Sequence, residues 1–175
     1  MTEEREGSAL EHGLHKLEDV AGGLFAQAGA AMTDRAEDFV HRASVSDRFE
    51  IEASKLALQR AQSGNVRDFA QQMIEDHTAI SGKLEASLTP ELRSLVQMEL
   101  DNRRQTMLDH LREAANTRFD KTYLDQQRLA HQEAITLMHH FRDNGDNPAL
   151  RHFATETAPM IEMHLKHVKD LAASQ

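Results

Sequence analysis

The stretch Phe69–Leu84 reads FAQQMIEDHTAISGKL. Phe69, Ala70, Met73, Ile74, Ile80 and Leu84 recur at spacings of three and four, so at 100° per residue they share one face of a helix. His77 stands at the centre of that face. A buried ionisable ring must find a partner, so the other helices are where its partner is to be sought.

Turn and cap signals divide the chain around this helix, which is expected over about 66–87. Thr33-Asp34 offers an N-cap, with Glu37 placed for a capping box on Asp34, and opens a helix that runs to about Gln62. Ser63-Gly64-Asn65 is a turn. Thr89-Pro90-Glu91 starts a third helix, expected over about 91–115. Ala115-Asn116-Thr117 interrupts it before a helix at about 118–142, and Asp143–Pro148 is the clearest turn in the chain. A last helix is expected over about 149–172. Ahead of all of these, Leu10, Leu14, Leu17, Ala21, Leu24 and Ala28 form an apolar stripe interrupted by Gly22-Gly23. Residues 1–33 therefore read as an N-terminal helical arm and 34–175 as a helical bundle. The arm is a flexible attachment or a docking helix, with homodimerisation as the partner reading. Asp120 is expected to cap or oppose the dipole of its own helix.

Composition narrows the function classes. Of 175 residues, 39% are hydrophobic and 28% charged, with no cysteine, no Trp and three Pro. Disulfides, thiolate metal sites and cysteine nucleophiles are excluded. No run of 18 apolar residues is present, which excludes a transmembrane helix. A net charge of -9 reads against nucleic acid as a partner. The start MTEERE is acidic where a secretion signal is basic, which points to a cytoplasmic protein. The 11 histidines are the unusual feature.

Each of four helices aims one ionisable residue at the core: Glu50, His77, His131 and His164. Glu50 precedes the Gly64 turn by 14 residues and His77 follows it by 13, so at 1.5 Å per residue they are nearly level. His131 and His164 differ by about one turn, roughly 5 Å, about their own hairpin. If the hairpins meet in register, one carboxylate and three imidazoles converge, as in metal sites built from facing helices. Such a set suits zinc, iron, copper or nickel. The same four residues also suit a metal-free hydrogen-bond network that fixes helix register. His12/His15 and His164/His167 are spaced for surface chelation, though apart from His164 these read as surface residues. Glu52 and Asp76 are expected to be exposed. No Glu-x-x-His occurs, which argues against a di-iron ferroxidase, and no glycine-rich nucleotide loop or serine elbow is present. An enzyme is the least supported reading.

The segments Phe39–Ala57 (FVHRASVSDRFEIEASKLA), Phe69–Thr78 (FAQQMIEDHT), Phe119–His131 (FDKTYLDQQRLAH) and Pro159–His164 (PMIEMH) resemble the bacterial domain-of-unknown-function family 4142. The resemblance covers about 35–172 and matches Glu50, His77, Asp120, Tyr123, His131 and His164. It implies an all-α, ferritin-like antiparallel four-helix bundle, with the 91–115 segment as a connecting helix. Members are often labelled predicted outer membrane proteins and usually carry a secretion signal. The family has no established activity. The expectation is a small metal-binding bundle for metal handling or stress response with zinc, iron or copper as cofactor. The alternative is a non-catalytic helical interaction module.

Overall fold

The computed structural model describes the backbone from residue 2 to residue 174 and side chains from Leu10 onward. Among the described residues there are seven helices and no strand: α1 (Thr2–Ala30), α2 (Ala36–Arg60), α3 (Gly64–Ala86), α4 (Pro90–Arg93), α5 (Asn102–Glu113), α6 (Asn116–Asn144) and α7 (Pro148–Ala173). None of these helices is long and apolar enough to cross a membrane. Short connections fold α2 back on α3 and α6 back on α7. The two hairpins pack α2 against α6 and α3 against α7.

The core these helices enclose is split in two. One apolar cluster gathers Phe39, Ala43, Ile80, Leu84, Ala134, Phe141, Phe153 and Ile161. The other gathers Phe49, Ala53, Phe69, Met73, Phe119, Tyr123, Ala130 and Val168. Between them each of the four hairpin helices contributes at least one buried polar residue: Asp47 and Glu50 from α2, His77 from α3, His131 from α6 and His164 from α7. Burial of aromatic side chains on both sides supplies the main driving force and fixes the height of the polar layer.

The expected helix over 91–115 is two pieces. The chain leaves the helical path at residues 94–101, where Leu95 and Val96 pack against the first cluster and the Gln97 amide donates to Ser44 Oγ at 3.0 Å. Asp101 then starts α5 by accepting from the Arg104 amide at 2.7 Å. Leu92, Leu95 and Val96 follow a core surface here rather than one helix face. Thr89 caps α4 with its side chain, as its place before Pro90 suggests, and Asn147, within the expected turn, caps α7 in the same way.

Two capping expectations change. Asp34 does not cap α2; Arg35 occupies that position, and the Ala36 amide donates instead to Asp146 Oδ1 at 2.9 Å. The α6–α7 turn thus supplies the cap from across the molecule. Asp120 lies inside α6 and accepts from the amides of Gln62 and Ser63 at 2.9 and 2.7 Å. It clamps the α2–α3 turn rather than its own helix. Asp120→Ala is expected to lower stability by about 1–3 kcal/mol, since two amide donors of the α2–α3 turn lose a buried charged acceptor; urea unfolding checks this.

The Gly22-Gly23 pair does not break α1. A Cβ on Gly23 would sit 3.3 Å from Leu129 Cδ2, and one on Gly22 3.2 Å from Arg103 Cδ, so the pair lets α1 lie close to α6 and α5. The face that α1 turns inward is polar. Lys16 pairs with Asp125 at 2.7 Å, Asp19 accepts from His110 and Gln126 at 2.9 and 2.8 Å, and Gln27 donates to Thr136 at 3.1 Å. Residues 16–27 are tied to the bundle by these bonds, while the two apolar clusters draw only Ala30 from the described residues of α1. Deleting residues 1–33 is therefore expected to leave a cooperative but less stable bundle, seen as a single melting transition at lower temperature.

Candidate metal centre

The two hairpins meet in register. The rings of His77, His131 and His164 form a near-equilateral triangle, with centroid separations of 5.7, 5.5 and 5.5 Å. All three are buried. One nitrogen from each lies within 4.8 Å of the other two.

The outward nitrogens are all engaged. His77 Nδ1 meets Asp47 Oδ1 at 2.9 Å, and Ser81 Oγ donates to the second Asp47 oxygen at 3.1 Å. His164 Nε2 meets Asp76 Oδ2 at 2.9 Å. His131 Nδ1 meets the Gln127 carbonyl at 2.8 Å. Carboxylates and carbonyls accept, so each of these nitrogens carries the proton. The lone pairs of His77 Nε2, His131 Nε2 and His164 Nδ1 then point inward, and none of these atoms has a hydrogen-bond partner. Carbonyl or carboxylate anchoring of the far nitrogen fixes tautomer and ring orientation in metal-ligating histidines.

Glu50 lies beside this triangle rather than at its centre. Its Oε1 is 3.6 Å from His131 Nδ1, and it is not among the residues whose ligand atoms converge. Neither carboxylate oxygen has a hydrogen-bond partner. Gln127, also fully buried, interacts with Glu50 without closing a hydrogen bond of acceptable geometry, and its own amide atoms are unpartnered. Burial pushes the Glu50 carboxyl up to about 7; the Asp47 charge adds to this and His77 opposes it. For the histidines, burial is the largest influence throughout. It holds His131 well below the ordinary imidazole value, with His77 and His164 adding to the effect. His164 falls to about 4 through burial and His77, against the pull of Asp76. At His77 burial also lowers the value, but the Asp47 hydrogen bond with the charges of Glu50, Asp47 and Asp76 outweighs it, and the net direction is upward.

Other sequence candidates do not join the centre. His167 packs edge-on against Phe69, with centroids 5.0 Å apart, so the His164/His167 pair does not chelate. His15 stacks on His110 at 3.9 Å. Tyr123 shares a hydrogen bond with Ser54 at 2.8 Å. Glu52 is half-buried and pairs with Lys55 at 3.0 Å. Asp76 is not freely exposed as expected: it is half-buried and anchors His164. Asp47, one turn before Glu50, and Gln127, one turn before His131, belong to the site and were not assigned to it from sequence. Their spacing of three and four from the core residues is the signal that places them on the same face.

Three anchored, converging imidazoles between two apolar layers define a helical bundle with a buried trihistidine cluster. The model of the domain of unknown function (DUF4142) matches residues 23–171, and the chain belongs to that family. None of the curated proteins and none of the solved structures compared matches it.

Proposed function

We propose that this protein is a metal-binding helical bundle in which His77 Nε2, His131 Nε2 and His164 Nδ1 hold one transition-metal ion. One observation carries the reading: three buried nitrogens without partners face one another while the opposite nitrogens of the same rings are anchored. A metal-free network would be expected to bond its members to one another. Here none of the three inward nitrogens has a hydrogen-bond partner, and each orphaned buried polar atom carries a penalty of about 1–3 kcal/mol. A cation removes that penalty for all three together. Neutral imidazoles suit zinc, iron or copper.

Glu50 takes part as the fourth protein group. A buried carboxyl with both oxygens free supplies negative charge next to a cation, as direct ligand or as acceptor for a metal-bound water. The connectivity, two helix hairpins joined by the α4–α5 segment, supports reading the fold as a ferritin-like bundle. Without Glu-x-x-His, it would hold one ion on histidines rather than two on carboxylates. Metal handling or stress response is the role that fits an ion enclosed between two apolar layers.

Equilibrium dialysis of the chelator-treated chain against zinc, iron(II) and copper(II), followed by elemental analysis, tests the reading. One ion per chain is expected for at least one metal, with none in the His77→Ala, His131→Ala double variant. A well-folded protein that retains none of the three establishes the metal-free network instead. Asp47→Asn weakens the anchor of His77 and is expected to lower affinity roughly 10–100-fold, the usual cost of losing such a partner; a competition titration with a chromogenic chelator reads it.

A further inference from the structure

The apolar stripe of α1 faces away from its own bundle. Leu10, Leu14, Leu17 and Leu24 are 70, 59, 68 and 63% exposed, and Phe25 beside them is 81% exposed. An isolated amphipathic helix would turn this face inward; here the inward face is the polar one carrying Lys16, Asp19 and Gln27. The outward residues Leu10, Leu14, Leu17, Ala21, Leu24 and Ala28 alternate spacings of four and three. That is a heptad seam with a period of 3.5, the pattern that fits a second helix supercoiled against it. We propose that two copies of this chain associate through α1, the seams pairing in parallel and in register.

Three features select a second copy. Heptad spacing describes a helix as partner, and the same seam on two chains is self-complementary about a two-fold axis. In the parallel register the flanking positions bring Gly13 opposite Glu18 and Val20 opposite Phe25, so from Gly13 onward no flanking pair sets like charges together and the exposed Phe25 is covered. The exposed leucines with Phe25 and the neighbouring Met32, 80% exposed, leave a row of large apolar side chains along one side of α1 that a second copy would cover. A membrane surface fits less well. Glu11 and Glu18 edge the seam, the chain carries a net charge of -9, and the basic residues that bind anionic lipid are missing from this face.

Light scattering at about 100 μM is expected to give twice the 19.8 kDa chain mass for the wild type. The double substitution Leu14→Glu, Leu17→Glu is expected to give the single-chain mass with an unchanged far-ultraviolet dichroism spectrum. The chain has no cysteine, so Leu17→Cys reads the register directly. Mild oxidation should convert most of it to a disulfide-linked dimer, while Gln71→Cys on the exposed face of α3 stays single. A wild type of single-chain mass, a double variant that keeps the doubled mass, or a Leu17→Cys that crosslinks no better than Gln71→Cys would each overturn the proposal.

Discussion

Saturating zinc is expected to raise the melting temperature of the wild-type chain by roughly 8–16 °C, and His131→Leu to abolish the rise. The size follows from mass action. A ligand at about 1,000 times its dissociation constant adds about 4 kcal/mol to the native state. For a chain of this length each kcal/mol moves the midpoint by about 2–4 °C. His131 is the most informative position because its outward nitrogen bonds only to the Gln127 carbonyl of its own helix. Its removal breaks no hydrogen bond to a carboxylate, although Glu50 Oε1 lies 3.6 Å from this nitrogen. Without metal, the leucine variant is therefore expected to be as stable as the wild type or more so, since an apolar replacement of a buried polar group is often neutral or favourable. His12→Leu, at the surface, is expected to keep the full rise. A His131→Leu protein that keeps it would exclude this ring as a ligand.

Without metal, stability is expected to peak near pH 6.5. His131 and His164 are held neutral by burial, so acid protonates the unfolded chain first. Their contribution is present above 6.5, the unfolded imidazole value, and is lost as pH falls through their lowered folded values, about 4 in the case of His164. Glu50 acts in the opposite sense. Its folded value is raised by burial, so its contribution is complete below 4.5 and is lost as pH rises through about 7. His77, raised by Asp47, likewise contributes below 6.5 and loses that contribution at higher pH. Between about pH 5 and 6.5 two histidines oppose one glutamate. The net is about one proton, or ~1.4 kcal/mol per pH unit, favouring the higher pH. Above 6.5 Glu50 and His77 both act downward. Denaturant unfolding of the chelator-treated chain at about pH 5, 6.5 and 8 tests the shape, and Glu50→Gln should flatten the alkaline side. A monotonic rise through pH 8 would contradict these protonation states. Zinc should shift the maximum upward, because binding displaces protons from His77 and Glu50.

Much of the helix order and the burial of Glu50, His77, His131 and His164 were legible from periodicity alone. Each of these residues sits among apolar neighbours spaced by three and four, and near-equal distances from the two turns set their heights. Three features were hidden because they depend on tertiary contacts. Whether the hairpins share a register is decided by how Phe39, Phe141 and Phe153 pack against one another, with Phe39 4.2 Å from Phe141 and 6.1 Å from Phe153. The convergence of three rings with Glu50 at the side depends on side-chain direction, which a helical wheel leaves open. The anchors Asp47 and Asp76 reach their histidines across helix–helix contacts, which the periodicity of one helix does not show. The orientation of α1 was concealed differently. Its leucine stripe looks like a core face, and only Asp19, His110 and Gln126, 91 and 107 residues distant from Asp19 in sequence, reveal that the polar side is the one buried.

The imidazole nitrogens themselves give the most direct test of the central claim. A long-range proton–nitrogen correlation spectrum of nitrogen-15-labelled protein at pH 7.5 distinguishes Nδ1 from Nε2 in each assigned ring. One equivalent of zinc is expected to shift His77 Nε2, His131 Nε2 and His164 Nδ1 together, while the nitrogens bonded to Asp47, the Gln127 carbonyl and Asp76 keep their protons. Shifts confined to surface rings such as His12 and His15, or zinc entering at His77 Nδ1 in place of Asp47, would contradict the account.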